Sequence, residues 1–289
     1  MPSLTDPQFI RKLEMLSLLT RKTLGGSLKA DRKSTKKGSG TTFADYSEYN
    51  LGDDYRSIDW NIYARLENLV VKLFEIEEDL HVYVFIDLSL SMESKINYAK
   101  ELTAALSYIA LNNLDRLTIY GLSDKLHTVM RPAHGRSHIF PMLESLEKAD
   151  CYGHDTCFEK CIKTFQARGQ RRGMCILISD FFAKSGFEKA LDLLLWSRHD
   201  LFCLQVADPK DERCEFRGDI DFQCIETGRV KRVTVGPAEA ARFADAVHEW
   251  QKHLYSSCAK RGVGLARASI EVPFEEVIQN ILRKGGLVA

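Results

Sequence analysis

From residue 80 onward, short apolar segments typical of buried strands alternate with amphipathic segments of helical spacing. The apolar run of residues 80–87 ends in Asp87, and the run of residues 174–180 ends in Asp180. Strands that alternate with helices form βαβ units, in which helices cover both faces of a mostly parallel sheet. The pattern therefore predicts a three-layer α/β fold. The predicted strands are residues 80–87, 116–122, 126–130, 174–180, 201–207 and 263–268. The predicted helices are residues 96–109, 138–148, 157–167, 187–198, 237–261 and 274–284.

The N-terminal part of the chain lacks this alternation. We predict that residues 1–79 form a small module of irregular and β structure ahead of an α/β domain of residues 80–289. Apolar residues at helical spacing predict a helix over residues 8–28, and residues 70–77 resemble a strand. Residues 29–40 are basic and rich in Gly and Ser, which predicts a flexible, solvated loop.

Composition argues against several classes of protein. Lys plus Arg and Asp plus Glu number 40 each, so the net charge is zero and nothing global favours a nucleic-acid or membrane surface. No apolar stretch approaches the roughly 20 residues of a membrane helix, and the N-terminus lacks the features of a signal peptide. Several of the eight Cys lie in apolar runs, which is typical of buried thiols in reducing surroundings. We therefore expect a cytoplasmic protein.

The most informative local motif follows the strand of residues 80–87. Asp87, Ser89 and Ser91 stand at alternate positions in the turn from strand to helix. A carboxylate and two hydroxyls are hard oxygen ligands, which suit Mg²⁺ or Mn²⁺ better than a thiolate-seeking metal. Alternatively, a serine caps the following helix and Asp87 binds loop amides. The motif alone leaves both interpretations open.

Two further loops offer oxygen ligands at the same edge of the predicted sheet. Thr156 precedes a helix, and Asp180 ends the buried strand of residues 174–180. Together with the motif of Asp87, this set resembles the metal-ion-dependent adhesion site of the von Willebrand factor A domain, a Rossmann-like fold. The resemblance implies that Mg²⁺, Mn²⁺ or Ca²⁺ binds to Ser89 and Ser91 directly and to one or both Asp through water. It further implies that a Glu or Asp of a partner protein completes the metal shell and that no bond is broken.

A second motif narrows the resemblance to one bacterial family. Residues 43–65 are similar to the signature of the family labelled domain of unknown function fifty-eight, and the likeness extends over nearly the whole chain. The matching residues are Tyr49, Gly52, Asp53, Asp54, Arg56, Ile58, Asp59, Trp60, Ala64 and Arg65. Members of this family resemble von Willebrand factor A proteins and are associated with MoxR-type AAA+ ATPases. The resemblance implies an adaptor or co-chaperone that helps to assemble or activate other protein complexes.

The segment of residues 49–65 mixes acidic, Arg and aromatic residues. Arg paired with carboxylate and stacked on aromatic rings suits the stiffening of an irregular segment. The segment is therefore either a structural clamp against the main α/β domain or a surface on which a partner docks, and the residues leave both possibilities open.

Other chemistries have weaker support in the sequence. The residues Cys151, His154, Cys157 and Cys161 have spacings that could hold zinc, although Cys161 lies on an apolar helical stripe. Asp87 could serve as the nucleophile of a metal-dependent phosphohydrolase, but such enzymes need a second Asp where Ser89 stands. The basic residues 168–172 are expected to form a solvated loop.

The sequence thus predicts a metal-dependent protein-interaction module, not an enzyme. Its predicted metal ligands are Asp87, Ser89, Ser91, Thr156 and Asp180.

Overall fold

The computed structural model describes residues 3–24, 33–37, 42–77, 80–152, 156–183, 185–214, 216–223 and 230–283. Two compact units make up the chain. One comprises Met1–Arg21 and Leu80–Ala289, and the other comprises Lys22–Asp79. Within the described residues, no helix combines the length and the apolar character needed to span a membrane.

A sheet is the centre of the larger unit. In spatial order its strands are β11 (Gly264–Ser269), β8 (Asp200–Ala207), β7 (Met174–Ser179), β4 (His81–Asp87), β5 (Arg116–Leu122) and β6 (Leu126–His134). All neighbouring strands in this sheet are parallel except β6, which pairs antiparallel with β5 at one edge. The predicted three-layer α/β fold with a mostly parallel sheet is therefore confirmed.

The helices of the larger unit follow the sequence prediction closely. They are α1 (Pro7–Leu24), α3 (Ile96–Asn112), α4 (Ile139–Glu147), α5 (Phe158–Ala167), α6 (Glu188–Trp196), α7 (Pro209–Glu212), α8 (Pro237–Lys260) and α9 (Phe274–Arg283). Apolar residues of α5 and α6 pack on the sheet in one large buried cluster. Phe165 of α5 lies at the centre of this cluster, where its ring contacts Tyr83 at 5.0 Å, Phe85 at 5.1 Å and Tyr120 at 5.5 Å between centroids.

Central strand β4 illustrates why the apolar runs form buried strands. Every residue of β4 after His81 is buried, because the strand pairs with β5 on one side and β7 on the other while helices cover the sheet. Gly121 of β5 leaves room for the Leu88 side chain, since a Cβ at position 121 would lie 2.5 Å from Cδ1 of Leu88. The end of β4 is thereby held against its neighbour at the edge where Asp87 emerges.

The structure differs from the predicted division of the chain in the placement of the first helix. Residues up to Arg21 group with the larger unit, although the sequence assigned them to the N-terminal module. The physical reason is the apolar face of α1, whose Phe9 ring lies 5.3 Å from the ring of Phe274 in α9. An ion pair between Lys12 Nζ and Glu275 Oε1 at 2.7 Å accompanies this contact.

The smaller unit contains an antiparallel sheet in the order β1-β3-β2 and a short helix. Its elements are β1 (Lys33–Lys37), β2 (Thr42–Glu48), α2 (Trp60–Leu66) and β3 (Val70–Glu77). Strand β1 corrects the prediction of a flexible loop over residues 29–40, of which residues 33–37 are described. Pairing with β3 satisfies the backbone groups on one side of β1, and lysines are common on such edge strands. Without an apolar alternation, this strand left no signal in the sequence.

An unpredicted hairpin completes the larger unit. Strands β9 (Gly218–Gln223) and β10 (Val230–Val235) pair antiparallel. Polar cross-strand pairs hold the hairpin together, including Arg232 Nε, which lies 2.7 Å from Asp221 Oδ1. Of β10 only Val235 is buried, so this hairpin adds little to the core.

The ring cluster around Phe165 predicts a large effect on stability. Removing this buried ring in Phe165→Ala leaves a cavity, so we expect the free energy of unfolding to fall by about 3–5 kcal/mol in urea denaturation. Phe140→Ala is the matched control, because Phe140 is 59% exposed and its loss should change stability by less than about 0.5 kcal/mol. Equal effects of the two substitutions would contradict this account of the core.

Candidate functional site

Three loops at the carboxyl edge of the sheet bring the predicted site residues together. Asp87 is the last residue of β4, and Ser89 and Ser91 lie in the turn that follows it. Thr156 precedes α5, and Asp180 directly follows β7. Backbone hydrogen bonds from Leu88 N to the Leu122 carbonyl and from Cys157 N to the Ser123 carbonyl tie these loops to the end of β5.

The carboxylate of Asp87 is the hub of this arrangement. Its Oδ1 accepts hydrogen bonds from the Ser89 backbone N–H at 3.0 Å and from Thr156 Oγ1 at 2.8 Å. Its Oδ2 accepts a hydrogen bond from Ser179 Oγ at 2.6 Å. Burial and the neighbouring charge of Asp180 raise the pKa of Asp87 to about 6, although hydrogen bonds from Ser179 and Ser89 oppose this shift.

The two serines of the motif lie side by side. Ser89 Oγ is 3.0 Å from Ser91 Oγ, and Ser89 is fully buried. Ser89 stands at the start of the helical turn Leu90–Met92 but makes no capping hydrogen bond through its side chain. At α3 the capping position is held by Lys95 instead. The alternative in which these serines cap a helix therefore has no support, whereas Asp87 does bind a loop amide.

Asp180 has a different set of partners. Its Oδ2 accepts a hydrogen bond from Lys95 Nζ at 2.7 Å, and its Oδ1 accepts one from the Phe182 backbone N–H at 3.0 Å. Lys95 Nζ also lies 2.6 Å from Asp211 Oδ2, which belongs to α7. Burial alone would lower the pKa of Lys95, but the charges and hydrogen bonds of Asp180 and Asp211 raise it above its ordinary value. A buried ammonium therefore bridges two carboxylates beside the predicted metal ligands.

Sequence reasoning missed Ser179, Lys95 and Asp211. Ser179 had a usable signal, because it stands next to Asp180 at the end of a strand beside β4. Lys95 and Asp211 had none, because they are 116 positions apart in the chain and either would read as a solvated charge.

An open cavity of about 440 Å³ adjoins the site. Its lining residues are Leu90, Ser91, Glu93, Ser94, Lys95, Asp180, Phe182 and Asp211. The Ser91 hydroxyl and the Asp180–Lys95 pair thus share one recess that a side chain from outside could enter.

The donor atoms fit a hard divalent cation. Asp87, Ser89, Ser91 and Thr156 contribute only carboxylate and hydroxyl oxygens, the ligands that suit Mg²⁺ and Mn²⁺. In the described part of the chain, no cluster of three or more His, Cys, Asp and Glu side chains is arranged to hold a metal, so hydroxyls must supply part of any shell.

The structure gives less support to a zinc site at the Cys and His residues of positions 151–161. Cys161 is fully buried, and its Sγ lies 3.4 Å from the carbonyl oxygen of Ser123, as expected for a thiol that belongs to the core. His154, the other type of ligand in that interpretation, lies outside the described residues.

In the smaller unit, the segment of residues 49–65 uses its carboxylates to brace its own backbone. Asp54 accepts a hydrogen bond from the Arg56 N–H at 3.0 Å, and Asp59 caps α2 by accepting from the N–H groups of Asn61 and Ile62. Asp59 also pairs with Lys72 Nζ at 3.0 Å. These contacts lie within the smaller unit, so the acidic residues stiffen the segment itself. The aromatic side chains Tyr55, Trp60 and Tyr63 are exposed and leave the docking interpretation open.

The raised pKa of Asp87 predicts how stability depends on pH. The folded state holds this proton more tightly than the unfolded chain, in which the pKa is near 3.8. The resulting stabilisation is fully present below about pH 4 and is lost as the pH rises through about 6, with a total near 3 kcal/mol. We therefore expect wild type in EDTA to lose stability relative to Asp87→Asn over this range, as measured by urea denaturation at each pH. The same pH dependence in both proteins would contradict the assignment.

The comparisons with known proteins agree with the motif of residues 49–65. The family described as "Protein of unknown function DUF58" matches residues 45–253. The uncharacterized proteins Rv1480 of Mycobacterium tuberculosis (strain ATCC 25618 / H37Rv) and Mb1516 of Mycobacterium bovis are each 26% identical over 249 residues. Each alignment covers 83% of this chain and 78% of the relative.

Two solved structures show a distant likeness. The conserved hypothetical protein BatB from Bacteroides thetaiotaomicron is 17% identical with a TM-score of 0.45, covering 71% of this chain and 98% of that chain. The manganese-loaded TRAP protein of Plasmodium vivax is 17% identical with a TM-score of 0.33, covering 44% of this chain and 57% of that chain. These likenesses are too distant to carry an argument about ligands. The family match, in contrast, spans most of the chain and includes every predicted site residue, and the protein belongs to the DUF58 family.

Proposed function

We propose that this protein is a metal-dependent protein-interaction module, in which a divalent cation at the Asp87 site joins the protein to an acidic residue of a partner. The observation that carries the proposal is the convergence of Asp87, Ser89, Ser91 and Thr156 at the carboxyl edge of the sheet. Ligands of parallel α/β sheets bind at this edge. The adjoining cavity gives a partner side chain access to it.

The residues of the site divide the work of binding. The hydroxyls of Ser89, Ser91 and Thr156 would hold the cation. Asp87 would orient the Thr156 hydroxyl and the backbone of Ser89 through the hydrogen bonds that its carboxylate already accepts. When bound, Mg²⁺ or Mn²⁺ supplies a positive charge with a coordination position for a Glu or Asp of the partner. Because Asp87 is buried, the attraction between the cation and the carboxylates around it is screened less than at an open surface.

The geometry of Asp87 favours binding over catalysis. A carboxylate nucleophile needs an exposed oxygen, but Asp87 is 1% exposed and both of its oxygens accept hydrogen bonds. The phosphohydrolase alternative also lacks the second Asp, because Ser89 stands in its place. We therefore propose that the protein is not itself an enzyme.

The identity of the partner rests on the family resemblance. We infer that a MoxR-type AAA+ ATPase supplies the chemical work, while this protein acts as an adaptor or co-chaperone that connects it with a client complex. The exposed aromatic residues of the segment 49–65 provide a second surface for such contacts.

Calorimetric titration of the purified protein with Mn²⁺ tests the metal site. We expect one ion to bind and Asp87→Ala to weaken its affinity by about 10- to 100-fold, because the hydroxyl ligands lose the carboxylate that orients them. Asp200→Ala is the matched control, since Asp200 is an exposed carboxylate at the first residue of β8, at the end of the sheet away from the site. The Mn²⁺ affinity of this variant should equal that of wild type.

The partner is tested by retention of proteins on the immobilised chain. We expect a AAA+ ATPase to be retained in Mg²⁺ buffer and to be lost both with EDTA and with Asp87→Ala. Retention that is indifferent to metal and to Asp87 would refute the bridging mechanism.

A further inference from the structure

The ion pair between Lys95 and Asp180 changes the charge available to a cation at this site. Lys95 is 2% exposed, and its ammonium lies 2.7 Å from Asp180 Oδ2 and 2.6 Å from Asp211 Oδ2. The second oxygen of Asp180 accepts the Phe182 N–H. Both oxygens of the Asp180 carboxylate are therefore engaged by the protein itself, and one ammonium is shared between Asp180 and Asp211.

Among the predicted metal ligands, Asp87 is the carboxylate that does not pair with Lys95. Its neighbours are the neutral groups of Ser89, Thr156 and Ser179. Asp180 lies close enough for its charge to act on Asp87. The Lys95 ammonium, which is bonded to Asp180 and lines the same cavity as Ser91, opposes the approach of a second cation. A divalent ion here would face the carboxylates of Asp87, Asp180 and Asp211 and one fixed ammonium, so the lysine cancels one of three negative charges.

We propose, on the basis of the metal-dependent interaction described above, that Lys95 makes metal binding conditional on the partner's carboxylate. In the free protein the lysine cancels part of the negative charge around the site, so the ion is held more weakly than it would be without the lysine. A Glu or Asp of the partner, entering the cavity that Ser91, Lys95 and Asp180 line, restores the negative charge that the lysine cancels. Because coupling between two ligands is reciprocal, the ion strengthens the binding of the acid by the same factor.

The position of Lys95 suits it to this role. It stands at the start of α3, four residues after Ser91, so it belongs to the same loop as the hydroxyl ligands. Asp211, its second partner, lies on the four-residue helix α7 and is 39% exposed through its side chain. One ammonium thus ties together the loops that follow β4, β7 and β8 around the cavity.

Mn²⁺ affinity in the absence of any partner tests the proposal. Lys95→Met releases Asp180 and adds its negative charge to the site, so we expect Mn²⁺ to bind at least about tenfold more tightly than to wild type in calorimetry. Adding Asp180→Asn to that variant should remove the gain. The increase in melting temperature on addition of Mn²⁺ provides a second readout and should be larger for Lys95→Met than for wild type.

Lys100→Met is the matched control. Lys100 is also buried and lies on the same helix, but its Nζ binds the carbonyl oxygen of Glu147 at 3.1 Å. Its replacement removes a buried lysine without releasing Asp180, and the Mn²⁺ affinity should equal that of wild type. If Lys95→Met does not fold, Lys95→Gln keeps a polar side chain there without the charge and should show the same gain.

Two failures can be told apart. Unchanged or weaker Mn²⁺ binding in the Lys95 variants, with wild-type binding that Asp87→Ala weakens, would overturn the role of Lys95 and leave the proposed metal site intact. A lack of Mn²⁺ binding in wild type and in every variant would overturn the metal site itself.

Discussion

The buried carboxylate of Asp87 holds the functional edge of this protein together. It ends the central strand and binds the backbone of its own loop, the hydroxyl of Thr156 and the hydroxyl of Ser179. A carboxylate that is taken out of water must be satisfied by hydrogen bonds, so these loops are fixed in relation to one another by the needs of one side chain. The raised pKa of Asp87 shows that the compensation is incomplete. A cation is the kind of ligand that would complete it.

Charge compensation also explains the contacts of Asp180 with Lys95. Two carboxylates close together repel each other when both are ionised. The Lys95 ammonium relieves this repulsion at Asp180 and engages Asp211 as well. Buried ion pairs of this kind contribute little net stability, because the loss of hydration offsets much of the attraction. Their presence at the edge proposed to bind a cation is therefore better explained by control of the local charge than by stability.

The smaller unit uses similar polar chemistry for a different purpose. Asp54 and Asp59 bind backbone amides inside the segment of residues 49–65, and Gly52 adopts a φ of +110°, which favours glycine. The family signature is thus partly a set of backbone requirements. Its exposed rings contact one another and a neighbouring cation, since Trp60 lies 6.1 Å from Tyr63 and the Arg56 guanidinium lies 5.9 Å from the Tyr55 ring.

The sequence by itself determined the order and type of the elements of the α/β unit. Buried strands and amphipathic helices have local periodicities, so β4, β7 and the helices between them could be read directly from the apolar pattern. It also brought Asp87, Ser89, Ser91 and Asp180 to one edge, because parallel strands that end in polar residues place them there together. Thr156 ends no strand, and it was assigned to this edge by the resemblance to the adhesion site.

Only the tertiary structure decided how these groups are paired. The bonds from Ser179 to Asp87 and from Lys95 to Asp180 join residues 92 and 85 positions apart. No local pattern reveals such partners, because they depend on the order of the strands and on the burial that the sheet imposes. The same holds for the docking of α1 against α9 and for the β9–β10 hairpin, whose cross-strand contacts are largely polar. The pairing of buried charges, which sets what the site can bind, is therefore a property of the fold.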